Sequence, residues 1–176
     1  MVNHNVNHKT IELINSLKNK EKIKILFVCL GNICRSPAAE GIMREIVESE
    51  GVAGDWIIDS AGIGGWHVGQ QPDRRMCVHA RRRGIDLTGQ RCRQVRPSDF
   101  DDFDMIVGMD ASNLADLRDL APTLEAERKI VGMGEFVSMA TRYDHIPDPY
   151  YEGAEGFELV LDLLGDACRN LFDRCR

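Results

Sequence analysis

Ile23-Lys24-Ile25-Leu26-Phe27-Val28-Cys29-Leu30-Gly31-Asn32-Ile33-Cys34-Arg35-Ser36-Pro37 is the stretch on which the reading of this chain turns. From Ile23 to Val28 only Lys24 interrupts an apolar, β-branched run, the pattern of a strand buried on both faces of a parallel sheet. Gly31 stops the run. Ser36-Pro37 then offers a helix cap and a first-turn proline, and Ala38, Ala39, Ile42, Met43, Ile46 and Val47 follow at helical spacing as far as Gly51. A strand that passes so abruptly into a helix places its connecting turn where backbone N–H groups converge and the helix dipole is positive.

Working outward, Trp56 to Ala61 reads as a second strand, halted by Gly62-Ile63-Gly64-Gly65 and followed by a long loop with Trp66 and His67. Pro72 to Arg83 reads as a helix ending at Gly84, Asp104 to Met109 as a third strand running into Asp110, and Ala111 to Leu120 as a helix. Lys129 to Met133 is a short fourth strand, and Gly156 to Phe172 a final amphipathic helix. This alternation predicts an α/β fold: a single domain with a central four-stranded parallel twisted sheet flanked by helices on both faces. Ligands in such folds bind beyond the carboxyl ends of the strands, where the loops after Val28, Ala61 and Met109 all lie. Residues 1–22, with Ile11, Leu13, Ile14 and Leu17 among polar neighbours, read as an N-terminal extension, a short helix or flexible tail, before a domain at 23–176.

The 176 residues, 43% hydrophobic, suffice for one full core. A net charge of -6 argues against general affinity for nucleic acid or an anionic membrane, so any phosphate site must be positive locally. No run approaches the ~20 apolar residues of a membrane span, and the polar N-terminus lacks a secretory apolar core. The expectation is a cytoplasmic protein, monomer or weak dimer. Its six cysteines, Cys29, Cys34, Cys77, Cys92, Cys168 and Cys175, are unevenly spaced and suit reduced thiols better than a disulfide framework. They form no paired knuckles and the histidines are scattered, so neither metal nor cofactor is expected.

Cys29 and Arg35 bracket five residues, enough for a loop that curls around three phosphate oxygens. A thiol at the end of a buried strand and before a helix N-terminus sits where its anionic, nucleophilic form is favoured. The loop Leu30, Gly31, Asn32, Ile33, Cys34, Arg35 and Ser36 would bind phosphate through backbone N–H groups, with the planar Arg35 fork gripping two oxygens as lysine cannot. Ser36 is open to two readings, a hydrogen bond to the thiolate or a plain helix cap. Asp110 has two as well, orienting Arg35 or capping the following helix.

At these residues the chain resembles the low-molecular-weight protein tyrosine phosphatase family. The matching stretches are Val28 to Pro37 with Glu40, then Asp59-Ser60-Ala61-Gly62, Pro72-Asp73, Met109-Asp110 with Asn113-Leu114, and Asp148-Pro149-Tyr150. They fall in the family's order and run from Ile23 to the C-terminus. The resemblance implies hydrolysis of a tyrosine-phosphorylated protein substrate without metal, through a cysteinyl-phosphate on Cys29, with Asp148 as general acid and base. The Pro147-Asp148-Pro149 frame suits that role, because two prolines stiffen the loop carrying the carboxyl. Tyr150, Tyr151 and Trp66 match the family's substrate-groove aromatics and are expected to wall a slot for a phenyl ring.

Ile33 stands where the related protein arginine phosphatases have threonine, which favours tyrosine. Cys34, inside the loop, is a candidate redox partner that traps an oxidised Cys29 as a disulfide. Asn32 is expected to brace the loop, yet the histidine that usually completes this brace before the Arg-Gln pair is missing from Thr88 to Gln94. The bracing network must therefore differ. Cys77, Cys92, Cys168 and Cys175 read as bland, and His67, His79 and His145 as surface positions. The alternatives are an arsenate reductase of the same fold, a protein arginine phosphatase, and a module that binds phosphotyrosine without hydrolysing it.

Overall fold

A computed structural model describes residues 6–139 and 141–176. The first five residues of the expected N-terminal extension therefore lie outside the described residues. Four strands, β1 (Ile23–Cys29), β2 (Trp56–Gly62), β3 (Met105–Gly108) and β4 (Ile130–Gly132), form one sheet in the order β2-β1-β3-β4, every pair parallel. Chain connections diverge between β1 and β3, and the crevice beyond their carboxyl ends is the natural ligand position.

Strand alternation divides the interior in two. Ile25, Phe27 and Cys29 of β1 join Ile58, Met105, Val107 and Val131 in the larger core. This core is closed by α1 (His8–Leu17), α2 (Arg35–Ser49), α3 (Arg74–Arg81) and α7 (Ala154–Cys175). Leu26 and Val28 point the other way, with Ala61, Ile106 and Ile130, toward α4 (Asp99–Asp102), α5 (Ala111–Leu120) and α6 (Leu124–Glu127). The helix-flanked parallel sheet expected from the alternation is present. The short helices α4 and α6 were not foreseen, since four residues carry no periodicity to read.

Of the two possibilities for the N-terminal extension, α1 is the helix. Asn7 caps it by accepting from Thr10 N–H, and buried Ile14 and Leu17 enter the larger core. Glu135 holds it from beyond β4: one carboxylate oxygen accepts from Asn7 N–H at 3.0 Å and Thr10 Oγ1 at 2.9 Å, while the other accepts from Gly132 N–H. Lys9 Nζ donates to the carbonyls of Glu127 and Ile130. No helix among the described residues is long and apolar enough to cross a membrane.

Candidate active site

The turn after β1 is built from buried hydrogen bonds rather than from exposed loop. Asn32 takes a left-handed backbone conformation (φ 58°), tolerable for asparagine and unusual for larger side chains. Its peptide lies against Gly62 at the end of β2, where a Cβ would meet Asn32 N and the Gly31 carbonyl carbon at 2.9 Å. Glycine is thus required there by close backbone approach. The side chain of Asn32 is 2% exposed, and Nδ2 donates to Ser36 Oγ at 2.9 Å and Ser60 Oγ at 3.0 Å. Its Oδ1 accepts from Arg93 N–H at 2.9 Å. Ser60 in turn donates to Glu40 Oε1 at 2.9 Å, and Arg44 Nε donates to Glu40 Oε2 at 3.0 Å.

Burial raises the Glu40 carboxyl above its usual range, against the opposing hydrogen bonds from Arg44 and Ser60. The missing histidine is therefore replaced by a set of partners. Besides Arg93 N–H, the Cys92 thiol donates to the Asn32 carbonyl at 2.9 Å, and burial pushes that thiol up to about 11. Cys92, expected to be bland, is part of the brace. Gln90 donates instead to Pro37 O at 3.0 Å.

Cys29 lies at the end of β1 and is 3% exposed, with Sγ 3.0 Å from Ser36 Oγ. The helix begins at Arg35 with Cys34 as its cap residue, so Ser36 is not the cap: its hydroxyl is turned inward. Because Asn32 donates to that hydroxyl, its one hydrogen is free for Cys29 or for the Ala61 carbonyl at 3.4 Å. Of the two readings of Ser36, the contact with the thiol is the one realised.

Arg35 is 2% exposed. Its Nη1 donates to Asp110 Oδ2 at 2.6 Å and to the Ile146 carbonyl at 3.1 Å, while Nη2 lies 3.7 Å from Asp148 Oδ2. Asp110 also accepts from Asn113 N–H as cap of α5, so both of its expected roles are present. Burial works against its charge, yet the hydrogen bonds from Arg35 and Asn113 hold its carboxyl below the usual range.

Over this floor opens a cavity of about 240 Å³ lined by Cys29, Leu30, Gly31, Ile33, Cys34, Arg35, Trp66, His67, Asp148, Tyr150 and Tyr151. All three groups expected to carry the chemistry, the phosphate loop from Leu30 to Cys34, and the three expected aromatics meet there; Asn32 and Ser36 stand behind it as support. Trp66 is 67% and Tyr151 93% exposed, and the Trp66 ring lies against Gly64, where a Cβ would meet it at 2.0 Å. Cys34 also lines the cavity, and burial pushes its thiol well above the ordinary range, reinforced by Asp73 and Cys29. Among the described residues no group of three His, Cys, Asp or Glu could hold a metal.

His79 departs from expectation. It is 8% exposed, its ring stacks on Phe157 at 5.6 Å, and Nδ1 pairs with Glu158 at 2.8 Å. Sequence reasoning missed Ser60, Glu40 and Arg93 as supports of the loop. All three stood within stretches already singled out, Glu40 and Ser60 among the matching motifs and Arg93 between Thr88 and Gln94, but nothing there pointed to contact with Asn32.

Residues 24–176 match the family model described as low molecular weight phosphotyrosine protein phosphatase. A relative from Synechocystis, the putative low molecular weight protein-tyrosine-phosphatase slr0328, is 44% identical over 149 residues, covering 85% of this chain and 94% of that protein. Among solved structures, a protein tyrosine phosphatase from Entamoeba histolytica superposes with a TM-score of 0.82 at 43% identity, covering 86% of this chain and 96% of that one. YfkJ from Bacillus subtilis gives 0.80 at 41% identity, covering 88% and 95%. Strand order, phosphate-sized loop and sequence agree, and the chain belongs to the low molecular weight phosphotyrosine protein phosphatase family.

Proposed function

We propose that this protein hydrolyses phosphotyrosine in protein substrates, and small aryl phosphates, through a cysteinyl-phosphate. The observation that carries the reading is the meeting of three groups in one cavity: Cys29 against the Ser36 hydroxyl, the buried Arg35 fork, and Asp148 at 3.7 Å from that fork. In the first step the Cys29 thiolate attacks phosphorus, the bond from phosphorus to the phenolic oxygen breaks, and Asp148 gives its proton to that oxygen. In the second, Asp148 takes a proton from water as the water oxygen attacks phosphorus. The sulfur–phosphorus bond then breaks and the thiolate leaves, accepting a hydrogen bond from the Ser36 hydroxyl. Loop N–H groups and Arg35 neutralise the equatorial oxygens, a task for fixed dipoles in a site that needs no reorganisation.

Trp66, Tyr150 and Tyr151 rise above the loop and give a phenyl ring faces to stack on, which favours phosphotyrosine over the shorter phosphoserine. Cys34 takes the redox role: if peroxide converts Cys29 to a sulfenic acid, the Cys34 thiol attacks that sulfur, a disulfide forms and water leaves. The raised Cys34 thiol makes this step slow at neutral pH and faster in alkali. Six free thiols suit the reducing cytoplasm, and a monomer or weak dimer suffices for a site drawn from one chain.

The test is turnover of phosphotyrosine peptides and p-nitrophenyl phosphate by the intact protein and by Cys29→Ser. The expected result is turnover by the first and phosphate binding without turnover by the second. Activity retained in Cys29→Ser overturns the mechanism, and turnover of phosphoarginine in preference to phosphotyrosine overturns the substrate.

A further inference from the structure

We propose that Arg75, on the first turn of α3, is a positioning residue for the acid-bearing loop, so that proton delivery by Asp148 depends on a side chain that does not touch phosphate. The proposal rests on the phosphatase reading. Asp73 caps α3, accepting from Arg75 N–H at 2.8 Å and Met76 N–H at 3.4 Å. The same carboxylate receives the Arg75 side chain twice, Nε at 3.2 Å and Nη2 at 3.0 Å, so the guanidinium is held as a fork in one orientation. Asp73 is itself tied to the phosphate loop, because its N–H donates to the Ile33 carbonyl at 2.8 Å.

Held this way, the guanidinium carbon lies 4.8 Å from the ring centre of Phe157 and 5.3 Å from that of Tyr150. Phe157, on α7, is 1% exposed and offers a fixed support. Tyr150 belongs to the acid loop, and its N–H donates to Asp148 Oδ1 at 3.0 Å. Tyr151 extends the contact, its ring meeting that of Tyr150 edge-on at 4.9 Å. A continuous line of contacts therefore runs from Ile33 in the phosphate loop through Asp73, Arg75 and Tyr150 to Asp148. It fixes the distance between the group that holds the phosphate and the group that must protonate the leaving oxygen.

The chemistry selects arginine. A planar cation can sit over aromatic rings and give two parallel hydrogen bonds to one carboxylate, whereas lysine offers a point charge without the plane. Asp148 is 42% exposed and lies in a loop of prolines and glycine, so its placement is sensitive to the position of Tyr150. An Arg75 that was only a surface ion pair with the residue two before it would have no bearing on proton transfer.

The two readings separate on leaving groups. A phosphatase with a misplaced acid still expels p-nitrophenolate, a good leaving group, but fails with phenolate or tyrosine, which need the proton. In Arg75→Met and Arg75→Ala, kcat/KM for phenyl phosphate and a phosphotyrosine peptide is expected to fall about tenfold, while that for p-nitrophenyl phosphate falls about twofold. Arg75→Lys should fall between them and the intact protein. A loss by the same factor for both substrates, or no loss, overturns the proposal. Circular dichroism of each variant shows whether it is folded, and Arg75→Lys, which keeps the charge and most of the length, carries the test if the shorter side chains unfold α3. If the intact protein hydrolyses none of these esters, the phosphatase reading itself falls; if it does and the leaving-group pattern is flat, the role of Arg75 alone falls.

Discussion

The phosphate loop and the acid loop face each other across one cavity, yet they are built to opposite plans. Cys29, Asn32, Arg35 and Ser36 are each 3% exposed or less, and their polar groups are committed to Ser60, Arg93, Asp110 and one another. The acid side is open: Asp148 is 42% exposed, Tyr151 almost fully so, and the loop is held from below by Ile146 N–H on the Met109 carbonyl. Buried, satisfied networks are rigid and costly to disturb, whereas exposed loops yield. The difference allots two tasks. On the proposed mechanism one half is a buried, preformed cradle for the phosphate, and the other is an exposed loop that meets the leaving group and is steadied from the side by Arg75.

Removing the nucleophile should have the largest effect. Cys29→Ser is expected to lower kcat by at least about 10⁴-fold while inorganic phosphate still binds, measured by steady-state kinetics and titration calorimetry. On the open side, Asp148→Ala should cost about 10²–10³-fold with phenyl phosphate and much less with p-nitrophenyl phosphate, and it should leave the unfolding midpoint unchanged. A marked loss of stability there would break the contrast between rigid and adaptable halves.

Asn32→Ala belongs to the rigid half. It leaves Ser60 Oγ without a donor and Arg93 N–H without its acceptor, and should destabilise the fold by about 1–3 kcal/mol in urea unfolding and lower kcat about tenfold. If activity falls with no change in stability, the brace is catalytic rather than architectural. Asp110→Asn should give the smallest effect, raising KM about threefold through a looser Arg35. Its folded carboxyl sits below the ordinary value, so its contribution to stability is present above the unfolded value of about 3.9 and is lost as pH falls through the folded one. The variant should therefore show a flatter stability curve below about pH 4, and an unchanged acid limb would show that the pair with Arg35 adds nothing to the fold.

What could be read from sequence divides along similar lines. The loop from Cys29 to Arg35 was legible because its signals are contiguous: an apolar strand, a glycine and a helix start within fifteen residues. Asp148 and its aromatics were legible through a short motif framed by prolines. The support of the loop was not, since Asn32 meets Ser60 and Arg93 only after two strands pair and the chain returns, separations of 28 and 61 residues. Nothing in the composition of Thr88 to Gln94 says that a cysteine thiol and a backbone N–H would take the place of a histidine. His79 was misread for the same reason, its partners Phe157 and Glu158 lying on the last helix. Arg75 carries no signal in the sequence either, because Tyr150 and Phe157 meet its guanidinium only in the folded chain.

The N-terminal helix bears on how the protein behaves in solution. Ile14 and Leu17 cover part of the larger core, and Glu135 spends one carboxylate oxygen on Asn7 and Thr10. A chain shortened to begin at Ile23 would bare an apolar strip beside an unshielded acid at the end of β4, a surface prone to self-association. Preparations that keep the first helix should stay monodisperse at concentrations where the shortened protein clouds.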